Sequence, residues 1–237
     1  MYRCARFAIV SSWLVCAPVA ALAQPSSNAP PATIALPATI PIFPLQDVML
    51  FPGVPRPLHI FEPRYREMML YALAGDRIIG MVMLQPGHER DYFAHPPIYP
   101  IGCAGVIADV EALPDGRYNV VLQGLTKFRV KSEEQTFAYR IAEVDAIPET
   151  LNEEERDSLR QLRPQLLEML STIAPLGQDS TADELPDEEL VNGLAQFAVM
   201  EPRDRMDLLE LSGPLERAKA LIVLRERGRT LALRQEP

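Results

Sequence analysis

His59, His88 and His95 are the only histidines of the 237-residue chain, and their spacing decides what chemistry they can do. His88-Glu89 and His95 stand in GHERDYFAHPPIYP (87–100) as H-E-x5-H. A zinc-binding helix uses H-E-x-x-H, which puts both imidazoles on one face. The prolines here make the segment a loop, so the pattern predicts solvated loop residues and no metal site. His59 lies in PLHIFEPRY (57–65), a strand-to-helix corner where a structural role is expected. Glu62, Arg64, Arg66 and Glu67 crowd the same corner and raise the idea of acid–base chemistry. Ion pairing explains them with less, since Glu62 suits the positive end of a helix. The lysines, Lys127, Lys131 and Lys219, accompany no recognisable nucleophile motif, and no G-x-x-x-x-G-K-[ST] phosphate loop occurs. Glu153-Glu154-Glu155 and Asp187-Glu188-Glu189 read as acidic first turns of helices; calcium ligands would alternate around a glycine. The expectation is a chain with no catalytic residues, no metal and no cofactor.

The amino-terminal residues set the context of the one cysteine that matters. Arg3 and Arg6 precede an apolar run from Phe7 to Ala23 that ends Ala21-Leu22-Ala23. A positive start, an apolar middle and an A-x-A end are the build of a secretory signal peptide. The run falls short of the ~20 residues a membrane-spanning helix wants, and Pro18 interrupts it. Cleavage after Ala23 is therefore expected, with an exported, periplasmic product; the alternative is a membrane anchor at residues 7–23. Membrane contact is expected only through this segment, if it is retained. Cleavage removes Arg3 and Arg6 and no acid, taking the net charge from −9 to −11. It also removes Cys4 and Cys16, so Cys103 has no internal disulfide partner. In the apolar run GCAGVIADV, Cys103 reads as a small buried hydrophobe.

These residues need a scaffold, and the hydrophobic period supplies it in two parts. Residues 24–39, QPSSNAPPATIALPAT, carry no charge and read as a Pro/Ala/Ser-rich tether. Apolar runs then follow at 40–45, 48–51, 56–60, 78–84, 103–113, 118–124, 125–130 and 138–147, which predict seven or eight short strands. Pro114-Asp115-Gly116 marks a hairpin turn. Pro52, Pro55 and Pro57 are expected to hold an extended strand at a sheet edge, because proline lacks a ladder donor. Pro63 then opens a helix with Tyr65, Met68, Met69 and Ala72 on one face and Gly75 as its stop. So many short strands suggest a closed or nearly closed barrel. After Pro148 the period changes: Leu159, Leu162, Leu166, Leu170 and Ile173 mark one helix, with Pro164 expected to kink it. Leu190, Leu194 and Phe197 mark a second, Met206 to Leu211 a third, and Pro214 opens a fourth with Leu215, Ala218 and Ile222 on one face. The arginines of RAKALIVLRERGRTLALR (217–234) are expected on its wet face. The fold class is thus α+β, a β-barrel part (40–148) with one inserted helix and a helical bundle (149–233).

The run IPIFPLQDVMLFPGVPRPLHIFEPRYREMM, followed by RIIGMVMLQPG and IGCAGVIADVEALPDGRYNVVLQGLTKFRV, resembles the Lon protease amino-terminal, or substrate-binding, domain. The likeness covers roughly residues 40–230. It implies a PUA-like β-barrel followed by a helical bundle, a domain that also occurs as a stand-alone bacterial protein and in cereblon-like proteins. Lon couples this domain to an ATPase and a Ser-Lys protease, whose motifs do not occur here. Cereblon's tryptophan cage has no counterpart either, because the single tryptophan is Trp13, inside the signal segment. Some PUA barrels bind RNA, but a sequence pI near 4.9 argues against phosphate recognition, which needs concentrated positive charge. The resemblance therefore implies a non-catalytic module that binds polypeptide segments or a protein partner. Tyr92, Phe93 and Tyr99 in the 86–100 loop, with Met81 and Met83 on the neighbouring strand, are the candidate contacts. The competing expectations are a hydrolase or other enzyme with an unrecognised site in the barrel–bundle cleft, or a structural partner subunit.

Overall fold

The computed structural model describes residues 36–88, 92, 94–135, 137–173 and 184–235. The candidate signal segment and residues 24–35 of the tether lie outside them. Among the described residues the elements run β1 (Thr39–Leu45), β2 (Pro55–Ile60), α1 (Pro63–Ala74), β3 (Ile78–Leu84), β4 (Ile98–Ala112), β5 (Tyr118–Glu134) and β6 (Arg140–Ile147). Four helices follow, α2 (Glu153–Ile173), α3 (Asp187–Phe197), α4 (Pro202–Glu210) and α5 (Pro214–Gln235). The class is α+β. No described helix is long and apolar enough to cross a membrane.

The strands form one mixed sheet in the order β2-β5-β4-β3-β1-β6, with a further pairing of β5 to β6. That extra pairing makes the neighbours β1, β3, β4, β5 and β6 a closed circuit. The expected barrel is thus a mixed sheet whose pairings return to their start, with β2 attached outside the circuit on β5. The runs 118–124 and 125–130 belong to a single strand, β5. Register shifts at Ala104/Gly105 and Val130/Ser132 let it turn from β4 toward β6. β1 and β3 lie parallel. A parallel pair needs a crossover of a dozen residues or more, and β2 with α1 supplies it. This is why a proline-studded strand feeds directly into a helix.

Two prolines keep the edge role expected of them, and one does not. Pro55 and Pro57 lie in β2, which pairs only with β5. Pro52 instead sits in a turn: Val54 donates to the Phe51 carbonyl at 3.3 Å, and Gly53 follows Pro52 with φ +75°. Proline then a left-handed glycine is the signature of a type II turn. The run 48–51 before it is not a strand either. Met49, Leu50 and Phe51 are apolar because the helices cover them. Pro63 starts α1, Gly75 ends it, and Tyr65, Met68, Met69 and Ala72 are its buried face.

Every residue of β3 is buried, so both of its faces are covered. Ile78, Val82 and Leu84 enter a core inside the strand circuit with Ile40, Ile42, Ala104 and Phe128. Ile79, Met81 and Met83 enter the larger core, which continues through Phe51 and Met68 into Leu159, Leu166, Leu190, Leu194, Met206 and Leu215 of the helices. Cys103 is buried there too, and burial pushes its thiol up, out of the reactive range. The helices open as their sequences predict. Asn152 and Glu155 exchange hydrogen bonds with each other's backbone N–H at 2.8 and 2.9 Å, a capping box at α2.

A buried ionic network fixes the helices to the sheet. Glu149, just after β6, accepts from Lys127 of β5 at 2.8 Å and from Arg217 of α5 at 2.6 Å. Lys127 also donates to the carbonyls of Leu209 and Leu211, closing the end of α4. Arg217 donates to the Leu208 carbonyl at 3.0 Å and to Asn192 of α3, and lies over the Phe51 ring. The arginine expected on the wet face is thus wholly buried.

Candidate functional site

The residues named from the sequence scatter. Met81 and Met83 are 2% exposed and packed in the core, so they offer a partner no surface. IIGMVML is apolar at every position because both faces of β3 are covered, and that pattern, not partner contact, places the methionines. Tyr92 is half-buried: its hydroxyl donates to Glu62 at 2.8 Å, and the Arg64 guanidinium lies over its ring at 4.6 Å. Tyr99 is in β4 rather than in the loop, and Arg203 of α4 lies over its ring. Phe93 lies outside the described residues. Among the described residues no three His, Cys, Asp or Glu side chains form a group that could hold a metal ion.

The acid–base candidates have other partners. Glu62 pairs with Arg64 at 3.0 Å besides accepting from Tyr92. His59 Nδ1 meets Asn119 Oδ1 at 2.8 Å, and its Nε2 meets an Arg117 N–H at 3.2 Å. Arginine only donates, so Nε2 accepts and Nδ1–H donates.

What the fold does assemble is an apolar groove that the sequence reading did not single out. Its first wall is built by α3. Asn192 Nδ2 donates to the Pro52 carbonyl at 2.8 Å, Gln196 Nε2 to the Pro55 carbonyl at 2.9 Å, and Phe51 N–H to Gln196 Oε1 at 2.9 Å. One face of α3 thus holds the turn and the start of β2 through side-chain amides. On the adjacent face Leu190, Leu194 and Phe197 recur at i, i+4 and i+7. With Val54, Leu170, Ile173 and Leu185 they line a cavity of about 300 Å³ in which, among the described residues, Glu189 is the one charged side chain. Leu190 and Leu194 form its buried floor, while Ile173, Leu185 and Phe197 are 36%, 37% and 48% exposed. Gly193 also faces this space, and a Cβ there would meet nothing within 4 Å. Ile173 continues the apolar lining into a second groove with Met169, Val199, Met200 and Leu224. Phe197 marked a helix face in the sequence; that its ring stays wet depends on α2 and β2, which are distant in the chain.

Arg56 borders the groove. Arg56 lies over the Phe197 ring at 4.7 Å and donates to the carbonyls of Met49 and Gln196. Burial, then the nearby Arg205 charge, push the Arg56 guanidinium down to about 10, still cationic at neutral pH.

Solved structures place this architecture. The N-terminal domain of the Mycobacterium avium complex Lon protease matches with a TM-score of 0.61 at 19% identity, over 78% of this chain and 96% of that one. A Lon N-terminal domain protein from Xanthomonas campestris matches with a TM-score of 0.56 at 23% identity, over 78% and 97%. The fold is that of Lon amino-terminal domains. The sequence carries the assignment further, because the model of the ATP-dependent protease La (LON) substrate-binding domain matches residues 39–226. The chain belongs to that family. The Lon protease of Cytophaga hutchinsonii is 25% identical over 198 residues, 81% of this chain and 24% of that protein. Lon protease 2 of Sorangium cellulosum is 33% identical over 128 residues, 54% and 16%. The chain thus spans about a quarter or less of these relatives' length.

Proposed function

We propose that this protein is a non-catalytic member of its family that binds polypeptide segments in the groove between α2, α3 and the start of β2. The observation carrying this reading is the groove itself: wet apolar rims at Ile173, Leu185 and Phe197 over a buried Leu190–Leu194 floor. Exposed apolar surface ringed by polar groups marks a binding site in a soluble chain. Family membership supports polypeptide as the ligand.

The test is fluorescence anisotropy with a labelled, reduced and alkylated protein that cannot fold. The folded chain should bind it saturably. Phe197→Asp and Gly193→Leu should each weaken binding about tenfold, roughly 1.4 kcal/mol, without lowering thermal stability. Gly193→Leu fills open space and replaces a helix-interior glycine, so it should not unfold α3. Absence of saturable binding by folded protein, or full binding by both variants, would refute the groove.

The exported compartment is part of the same proposal and rests on residues 1–23 alone. Amino-terminal sequencing of the chain recovered from a periplasmic fraction should begin at Gln24; a chain beginning at Met1 in the cytoplasm overturns it.

A further inference from the structure

The groove has a charge polarity that apolar binding does not use. Arg56 donates through Nε and Nη2 to the Met49 carbonyl at 3.2 and 3.0 Å, and through Nη2 to the Gln196 carbonyl at 3.2 Å. Arg205 of α4 donates to the carbonyls of Asp47 and Ala198, both at 3.0 Å. Every acceptor is a backbone oxygen, and neither guanidinium has an ion-pair partner among the described residues. Arg205 Nε is buried and finds no acceptor among the described residues. The Asp47 carboxylate favours both cations, but it is one charge against two. Partly desolvated cations that repel each other and lack a matching carboxylate favour an added anion. Glu189, by contrast, stands where the groove passes Gly53, its Cγ 3.2 Å from a Cβ placed on that glycine.

We infer that the groove takes the carboxy-terminal end of a polypeptide, its last apolar side chains on Leu194 and Phe197 and its α-carboxylate at Arg56, beside the Arg205 charge. This inference rests on the polypeptide reading of the groove. The Arg56 guanidinium lies 4.7 Å from the centre of the Phe197 ring, so cation and apolar wall are about one ~3.8 Å residue step and a bond apart. A single terminal residue presents a side chain and a carboxylate at that separation. Glu189 would repel the carboxylate at the other part of the lining, which sets the peptide's direction. Capture of a terminal carboxylate by fixed donors is a recurring mode of peptide recognition.

Three labelled peptides decide it on the unaltered protein. All share an apolar sequence: one ends in Leu-Leu with a free carboxylate, one is its amide, and one is an amide with an internal aspartate. The free acid should bind about tenfold tighter than its amide, an advantage that added salt reduces and that Arg56→Gln abolishes. Equal affinity of acid and amide overturns the inference, as does an internal aspartate that matches the free acid. If acid and amide bind equally and Gly193→Leu weakens both, the carboxylate site falls and the polypeptide groove stands. If no peptide binds, both fall. The comparison of acid with amide needs no variant, so a fold defect in Arg56→Gln cannot mask the answer.

Discussion

Glu149→Gln should destabilise the protein by about 3–5 kcal/mol, the range found when one partner of a buried ion pair is removed. Among the described residues Glu149 is the one acid between two buried cations, Lys127 and Arg217, both of which it contacts within 3 Å. Glutamine keeps the shape and loses the charge, which leaves the two cations facing each other away from water. The lost attraction is accompanied by desolvation that nothing offsets. A change of that size lowers the melting temperature of a domain this long by on the order of 10 °C. Replacing all three together, Lys127→Met, Glu149→Leu and Arg217→Met, should recover most of the loss, because an apolar set removes the charges instead of stranding them. Thermal unfolding followed by circular dichroism measures both. A Glu149→Gln protein within 1 kcal/mol of the original would show that the network does not hold helices to sheet.

That network also marks where sequence reading ends. The helix spacing after Pro148 was readable because each amphipathic face repeats within one segment, and Pro63 and Gly75, which bound α1, lie next to the face they delimit. Lys127 of β5, Glu149 after β6 and Arg217 of α5 are far apart in the chain, so nothing local distinguishes them from solvated charges. One signal was available: Arg217 shares a helix face with Leu221 and Leu224 at i+4 and i+7, the stripe that packs inward. A charged residue on an apolar stripe calls for a buried counter-charge. The binding surface was hidden for a related reason. The 86–100 loop suggests exposed aromatics, yet Arg64 covers the Tyr92 ring, while Phe197 keeps a wet ring on a helix that reads as core. In IIGMVML the unbroken apolar run signals two covered faces, and that rule places Met81 and Met83 inside.

Gly124→Ala should cost about 3 kcal/mol, at the upper end of what overpacking does, and should weaken polypeptide binding besides. A Cβ on Gly124 would stand 2.0 Å from the Phe51 carbonyl oxygen and 2.9 Å from its carbon. Those are backbone atoms, so no side chain can swing aside. The turn must retreat, and with it the bonds from Gly53 N–H to the Gly124 carbonyl and from Gly124 N–H to the Val54 carbonyl, 3.0 Å each. Val54 lines the groove, and Asn192 and Gln196 hold the backbone on either side of it, so the wall moves when the turn moves. Two other glycines calibrate the effect. Gly116→Ala meets only the end of the Arg66 side chain, which can move, and should lose about 1–2 kcal/mol through its left-handed φ of +82°. Gly193→Ala meets nothing and should gain up to about 1 kcal/mol from helix propensity. Denaturant unfolding of the three variants should rank Gly124 worst and Gly193 best. Peptide binding at a temperature where each remains folded should be weakened by Gly124→Ala and unchanged by Gly116→Ala, because only the first displaces the groove wall; equal binding by both would separate the turn from the site.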